Sequence, residues 1–244
     1  MKRDVIIAAD ALSLWLDGRA VLDNVRLAVG RGRVTALEGP AGAGKSALLG
    51  ILAGKLSPYS GTVEIDGQSI AGMSPHALAR LGVRYVGPPG RVAGARTVHD
   101  CIALGAQVHV RGHHVARAQA DEVARRLGLE FQLDKAAASL RPALSKRLAL
   151  ACAIAARAHL LLLDEIMAGL NAAEAARMAA TIRGLRTDAA TVLMAERAMP
   201  HAAMVADDVL VLADGKLVAS SSAAARESVK APATEQGGRE PAPP

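Results

Sequence analysis

The chain has 244 residues, a formal net charge of +6 and apolar side chains at 51% of its positions. This length fits one α/β domain, or a core with a small subdomain, and the apolar content is enough for a substantial core. Two cysteines do not make a disulfide framework, no dense Lys/Arg block indicates nucleic-acid binding, and the longest apolar runs are too short to cross a bilayer.

Strands and helices are predicted to alternate along the chain. The predicted strands are, in order, VTALE, TVEIDG, GVRYVG, LLLLDE, TVLMAE and DVLVLADG. Helices are predicted at SALLGILAGKL and AAEAARMAATIRGLR, and the pattern from about 97 to 158 is mostly helical. This alternation indicates a mostly parallel sheet covered on both faces. The segment 224–244, which is rich in Pro, Gly and charge, is predicted to be a disordered tail.

A glycine-rich loop with the pattern G-x-x-x-x-G-K-[ST] follows the first of these strands and opens a helix. Small residues let its backbone N–H groups point at phosphate oxygens, and the helix N-terminus favours anions. Lys45 is predicted to bridge the β- and γ-phosphates of ATP and Ser46 to ligate Mg²⁺, while Ala47 is left without a role. The candidate nucleotide-binding residues are Gly39, Pro40, Ala41, Gly42, Ala43, Gly44, Lys45 and Ser46.

Two acidic residues end the apolar run LLLLDE. In folds of this kind, a carboxylate at the end of a buried parallel strand holds the Mg²⁺ shell from the side opposite the phosphate loop. Asp164 is therefore the predicted metal ligand, and Glu165 is the predicted general base for an attacking water. Glu165 and Lys45 are the two predicted catalytic residues.

With its phosphate loop, SPYSGTVEIDG, helical region, LLLLDE and final strand pair in this order, the sequence resembles ATP-binding subunits of ABC transporters. The runs LLLLDEIMAGLNAAEA and LARLGVRYVGPPGR are most similar to the branched-chain amino acid importer group. The resemblance implies an α/β P-loop NTPase fold over residues 1–223, with a RecA-like parallel core sheet, an antiparallel N-terminal sheet and a helical subdomain at about 88–158.

Three motifs depart from the family pattern. The signature, usually Leu-Ser-Gly-Gly-Gln, falls on residues 140–144, which read LRPAL. The glutamine between the core and the helical subdomain is replaced by Pro88, or by Gly87 if the register slips by one. Arg197 occupies the position of the switch histidine; it cannot accept a hydrogen bond, but its charge can neutralise a γ-phosphate.

Two further positions bear on nucleotide binding. The family's adenine-stacking aromatic falls near Leu16, so its neighbour Trp15 is a candidate to stack on adenine only if the strand register differs. A half-exposed tryptophan that supports the sheet is an equal alternative. Glu38 lies where relatives carry an apolar residue, and its charge is expected to weaken phosphate binding unless the side chain turns away.

The resemblance implies an ATPase subunit that works with transmembrane permease subunits on the cytoplasmic face of the membrane and does not act on nucleic acid. The altered signature favours one half of an asymmetric pair with a second, non-identical ATP-binding subunit. Amino acids or similar small polar solutes are the expected cargo. Two alternatives are a pseudo-ATPase that binds ATP and regulates a competent partner, and a soluble protein that acts on ribosomes or DNA.

Overall fold

The computed structural model describes residues 4–87, 96–188, 190–197 and 204–222. Its strands are β1 (Val5–Leu16), β2 (Arg19–Gly30), β3 (Val34–Glu38), β4 (Ser60–Ile65), β5 (Gln68–Ser69), β6 (Val83–Val86), β7 (Leu160–Asp164), β8 (Thr191–Glu196), β9 (Asp208–Ala213) and β10 (Lys216–Ser222). Its α-helices are α1 (Lys45–Leu52), α2 (Pro75–Arg80), α3 (Val98–Ala106), α4 (His113–Arg126), α5 (Pro142–Ala155) and α6 (Ala172–Gly184).

The strands form two sheets. A four-stranded antiparallel sheet has the order β2-β1-β4-β5, and a six-stranded sheet has the order β10-β9-β3-β8-β7-β6. In the second sheet β9, β3, β8, β7 and β6 run parallel, and only the edge strand β10 is antiparallel. The α/β fold, its parallel core sheet and its antiparallel N-terminal sheet confirm the fold that the sequence predicts.

The central strands of the parallel sheet are buried on both faces. Every residue of β3, β7 and β8 is buried, which explains why their sequences are nearly continuous apolar runs. In β7, Leu160 and Leu162 face a core shared with α1 and the antiparallel sheet, whereas Leu161 and Leu163 face a core shared with α3 to α6. The carboxyl ends of these strands therefore meet at one rigid edge of the sheet.

Some elements differ from the prediction. Helix α1 stops at Leu52, four residues before the end of the predicted run, and Gly54 follows in a left-handed conformation with φ of +67°. Helix α2, capped by the Ser74 hydroxyl, and strands β5 and β10 were missed, and β1 and β2 were expected only as an antiparallel sheet without assigned residues. Helices α3 to α5 lie in the predicted helical region, whose boundaries stay a prediction, and the tail 224–244 lies outside the described residues. No helix among the described residues combines the length and hydropathy of a membrane span.

Candidate functional site

The phosphate loop lies between the end of β3 and the start of α1. Gly42 has φ of +81°, and a Cβ built on it meets nothing within 4 Å, so the space above this residue is open. Gly44 has φ of +100°, and a Cβ there would lie 2.6 Å from the Val21 carbonyl oxygen. The loop is therefore packed tightly against β2 on one side and open on the other, which suits a cradle for phosphate oxygens.

The Lys45 side chain folds back onto the phosphate loop. Its side chain is buried, and Nζ donates to the carbonyl oxygens of Gly39 at 2.5 Å and Pro40 at 2.8 Å. Burial is the main cause of a lowered pKa for this ammonium; the Glu165 charge opposes the shift and the Arg197 charge adds to it. The ammonium thus already lies at the loop, within electrostatic reach of the predicted base.

Ser46 and Asp164 bring the loop and β7 together. The Ser46 hydroxyl donates to Asp164 Oδ1 at 3.0 Å, across 118 residues of sequence. A hydroxyl and a carboxylate are hard oxygen ligands, and a pair of them fits Mg²⁺, which takes few protein ligands and completes its octahedron with phosphate oxygens and water. The two predicted metal ligands are therefore adjacent, and their chemistry fits the ion.

Tyr85, on β6, is a member of this site that the sequence analysis missed. Its hydroxyl donates to Asp164 Oδ2 at 2.8 Å, and the Lys55 ammonium lies 3.6 Å from the centre of its ring. Burial, and then the hydrogen bond to Asp164, raises the pKa of this phenol well above its usual value. Asp164 is 2% exposed, and each of its oxygens accepts one hydrogen bond, so its carboxylate is fixed in orientation.

The predicted base is held in an ion pair. Glu165 directly follows β7 with φ of +51°, and its N–H donates to the Ala195 carbonyl oxygen at 2.9 Å. Its Oε1 accepts from Arg197 Nε at 2.5 Å, and this hydrogen bond raises the pKa of the largely exposed guanidinium. Arg197 thus contacts the carboxylate that would have to accept a proton in the predicted chemistry.

A buried lysine and a buried glutamate hold the loop after β7. Lys146, on α5, donates to the carbonyl oxygens of Glu165 at 2.9 Å and Ala168 at 2.5 Å. Glu196, at the end of β8, accepts from the Met167 N–H at 2.9 Å. Burial lowers the pKa of Lys146 and raises the pKa of Glu196 to about 7. The sequence analysis missed both, because Lys146 stands beside Ser145 and Arg147 in a polar part of the helix and Glu196 ends an apolar strand without a recognisable motif.

Glu38 lies beside these acidic groups. It is 4% exposed at the end of β3 and pairs in register with Glu196 on the neighbouring strand. The strand edge that faces the phosphate loop therefore carries four carboxylates, on Glu38, Asp164, Glu165 and Glu196. The expected weakening of phosphate binding by Glu38 stays a prediction.

The remaining predicted positions lie around this centre. Trp15 and Leu16, at the end of β1, are 54% and 42% exposed, so stacking of Trp15 on adenine stays a prediction. At the predicted signature position, Arg141 is the exposed N-cap of α5 and Pro142 its first residue, a place that proline favours because it needs no N–H there. Gly87 follows β6, and Pro88 lies outside the described residues. Ala47, in α1, packs against the core between the sheets.

Comparison with known proteins gives a consistent result. The ABC transporter family model matches residues 22–168. The chain is 33% identical to the cobalt import ATP-binding protein CbiO of Rhodobacter capsulatus, over 97% of this chain and 85% of that protein. It is 31% identical to the hemin import ATP-binding protein HmuV of Rhodopseudomonas palustris, over 90% and 83% of the two chains.

The other comparisons are with a longer relative and with two solved structures. The chain is 30% identical to a putative ribose/galactose/methyl galactoside import ATP-binding protein of Rhizobium meliloti, of which it spans only 43%. The solved structure of CbiO1 from Clostridium perfringens superposes with a TM-score of 0.80 at 24% identity, over 93% and 92% of the chains. A dimeric ATP-binding cassette bound to ADP and Pi gives 0.81 at 20% identity, over 89% and 98%. These two structures support the fold alone.

Proposed function

This chain belongs to the ABC transporter family and is an ABC-type ATPase, and on that premise we propose that it is the ATP-binding subunit that energises an importer. Relatives that match along most of its length are named as import ATP-binding proteins for cobalt and hemin. Such subunits work with transmembrane permeases from the cytoplasmic face, which is the location we propose here. The resemblance of LLLLDEIMAGLNAAEA to the branched-chain amino acid group supports amino acids or similar small polar solutes as cargo.

The observation that carries this proposal is the hydrogen bond between Ser46 and Asp164. It joins the phosphate loop to the end of β7, which supports a single site for the groups predicted to bind phosphate and to activate water. The loop amides and Lys45 would bind the phosphates, Ser46 and Asp164 would hold Mg²⁺, and Glu165 would accept the proton of the attacking water. When bound, Mg²⁺ neutralises charge on the β- and γ-phosphate oxygens.

The second nucleotide site of the proposed pair of subunits is the one whose function would be altered. In this family the signature of one subunit completes the nucleotide site of the other, and here that position reads LRPAL with an exposed Arg141 and a proline that has no N–H to donate. We infer that the second subunit is non-identical and supplies an intact signature to this chain's phosphate loop. The site that receives LRPAL would be weak or silent.

A second candidate function rests on the ion pair between Arg197 and Glu165. A base whose carboxylate is held by a guanidinium is a poorer proton acceptor, and no histidine or glutamine stands at the two predicted assisting positions. The chain would then bind ATP and regulate a competent partner while contributing little turnover of its own.

Lys45→Ala in the assembled complex separates these functions. The variant is expected to lose ATP binding, because the loop loses its only side-chain cation. If this chain hydrolyses ATP, the variant complex loses ATP turnover together with ATP binding at this chain. If this chain only regulates its partner, the complex keeps its turnover, and that turnover no longer responds to ATP bound at this chain. Lys135→Ala, an exposed lysine before α5, is the matched control. Unchanged ATP binding by Lys45→Ala would overturn the proposed function itself.

A further inference from the structure

Two buried ionisable side chains take no part in the proposed chemistry. Lys146 and Glu196 are 8% and 1% exposed, although burial of a charged group is unfavourable unless that group is paired or hydrogen-bonded. Neither lies among the predicted phosphate or Mg²⁺ ligands. Both instead bond to the backbone of the loop that follows β7, which we call the base loop and define as residues 165–168.

The two side chains hold the base loop through different backbone groups. Lys146 Nζ donates to the Glu165 carbonyl oxygen at 2.9 Å and to the Ala168 carbonyl oxygen at 2.5 Å, at the two ends of the loop. Glu196 Oε1 accepts from the Met167 N–H at 2.9 Å, in the middle of the loop. A single ammonium that joins both ends fixes the loop's curvature, and the carboxylate fixes its centre.

The loop needs such support because its backbone is not in a regular conformation. Glu165 has φ of +51°, a left-handed conformation that costs a residue with a side chain on the order of 1 kcal/mol and persists only where surrounding contacts hold it. This same residue carries the proposed base. The direction of its carboxylate therefore depends on the contacts that keep its backbone in place.

Lys146 also connects the base loop to the N-terminal part of α5, the end that carries the predicted signature. This helix begins at Pro142, and Lys146 lies about one turn further along. Because the ammonium binds the base loop directly, a shift of α5 relative to β7 changes the distances to both carbonyl oxygens. In the proposed function, the segment that would meet the second subunit and the base that would serve this chain's own nucleotide are thus joined by one side chain.

We propose that Lys146 is a positioning residue that, with Glu196, holds the base loop in its left-handed conformation and couples the position of α5 to the orientation of the Glu165 carboxylate. This inference rests on the proposed function, since it assigns Glu165 the role of base. It assigns Lys146 no contact with nucleotide. Misplacement of a reacting group by about 1 Å costs on the order of a hundredfold in rate.

The test is Lys146→Met in the full chain, assembled with its partner subunits, because methionine keeps an unbranched apolar stem and removes only the donor. We expect kcat for ATP to fall by about tenfold to a hundredfold, with the KM for ATP changed by less than about threefold, because the phosphate loop is not touched. Lys146→Arg, which retains a donor at this position, is expected to restore most of kcat. Lys135→Met is the control for the loss of a lysine.

Hydrogen exchange supplies a readout that does not depend on turnover. In Lys146→Met, peptides that cover the base loop are expected to exchange faster, while peptides of the phosphate loop and of β7 keep their protection. If Lys146 only stabilised the fold, protection would fall across α5 and β7 as well, and Arg would give no rescue. If Lys146→Met does not fold, Glu196→Ala tests the same loop, because it removes the carboxyl oxygen that accepts the Met167 N–H. This variant is also expected to lower kcat while leaving the KM for ATP nearly unchanged.

The outcomes are distinguishable from failure of the proposed function. An unchanged kcat and unchanged exchange in Lys146→Met, in a complex that Lys45→Ala inactivates, would overturn the coupling and leave the ATPase assignment in place. If Lys45→Ala leaves ATP binding intact, the proposed function fails first, and faster exchange of the base loop in Lys146→Met would still report its positioning role.

Discussion

Arg197 and Glu165 form an ion pair at the carboxyl edge of the parallel sheet, with Nε 2.5 Å from Oε1. The guanidinium comes from the end of β8 and the carboxylate from the end of β7, two neighbouring parallel strands. A histidine at position 197 would be able to exchange a proton with its surroundings, whereas arginine stays charged and donates only. If position 197 is that of the switch histidine, as the sequence analysis predicts, the arginine there holds the base instead of assisting it.

Arg197→Ala is therefore expected to raise ATP turnover a few-fold. Its guanidinium is largely exposed, so the interaction with Glu165 is screened by water and its removal should have a modest effect. The measurement is steady-state phosphate release by the assembled complex. Arg26→Ala is the matched control, because Arg26 also forms an exposed ion pair, with Asp10 at 2.7 Å on the antiparallel sheet.

A large fall in turnover for Arg197→Ala would contradict this expectation. It would mean that Arg197 leaves Glu165 during the reaction and stabilises charge on the transferred phosphoryl group, as an arginine can do at such a centre. Nucleotide affinity measured alongside turnover separates the two results, since loss of a phosphate contact weakens ATP binding more than ADP binding.

Tyr85→Phe is expected to weaken the apparent affinity for Mg²⁺ by about tenfold, the lower end of the range seen when a hydrogen bond to a metal-binding side chain is removed. The hydroxyl fixes one oxygen of Asp164, and without it the carboxylate gains rotational freedom. The ring itself stays, so Lys55 keeps its contact. Turnover and nucleotide binding are followed as functions of Mg²⁺ concentration. The exposed Tyr59 gives the control Tyr59→Phe, and equal Mg²⁺ dependence in the two variants would exclude a role for Tyr85.

The sequence predicts the centre of the site better than its surroundings. Lys45, Ser46, Asp164 and Glu165 are recognisable because each lies in a local pattern that chemistry requires, a glycine-rich turn before a helix or an acid at the end of an apolar strand. Tyr85, Lys146 and Glu196 have no such local pattern. Each acts through a partner at least 19 residues away in the chain, and only the register of neighbouring strands and helices brings the atoms together.

The same distinction holds for the fold. Strands β3, β7 and β8 are predicted because burial on both faces leaves a continuous apolar run. Strand β10 carries the polar sequence KLVASSS, and it is held by antiparallel pairing with β9 rather than by a buried apolar pattern. Helix α2 has six residues, too few for a helical periodicity to be visible.

The stability of the chain is expected to depend on Glu196 between about pH 4 and pH 8. Burial raises the pKa of this carboxyl to about 7 in the folded state, above its ordinary value of 4.5. Between these values the folded chain keeps a proton that the unfolded chain has lost, so the free energy of unfolding falls as the pH rises. The full difference is on the order of 3 kcal/mol, with all of the stabilisation present below about pH 4.5 and lost above about pH 7.

Glu196→Gln removes this titration while keeping an oxygen that accepts from the Met167 N–H. Chemical denaturation of the variant at several pH values is expected to show a smaller loss of stability between pH 5 and pH 8 than the wild type shows. Glu64→Gln, an exposed acid on β4, should leave the wild-type pH dependence unchanged. Parallel curves for Glu196→Gln and the wild type would show that the carboxyl ionises as readily in the folded chain as in the unfolded one.

From the proposed assignment of the signature to LRPAL, we expect that this chain does not form an ATP-dependent homodimer. Two copies would each present Arg141, Pro142 and Ala143 to the other's nucleotide, where a small residue with a free N–H is needed for close approach. Arg141 and Pro142 are exposed at the start of α5, so replacing them leaves the core intact, and glycines in the first turn cost at most about 1 kcal/mol each. A triple variant, Arg141→Ser, Pro142→Gly and Ala143→Gly, in a Glu165→Gln background to prevent turnover, is therefore expected to dimerise when ATP and Mg²⁺ are added.

Sedimentation velocity compares this triple variant with Glu165→Gln alone, which should remain monomeric, and with Glu165→Gln plus Arg111→Ser, which removes an exposed arginine elsewhere. Equal dimerisation by all three chains would mean that LRPAL still completes a nucleotide site, and the requirement for a non-identical partner would fall.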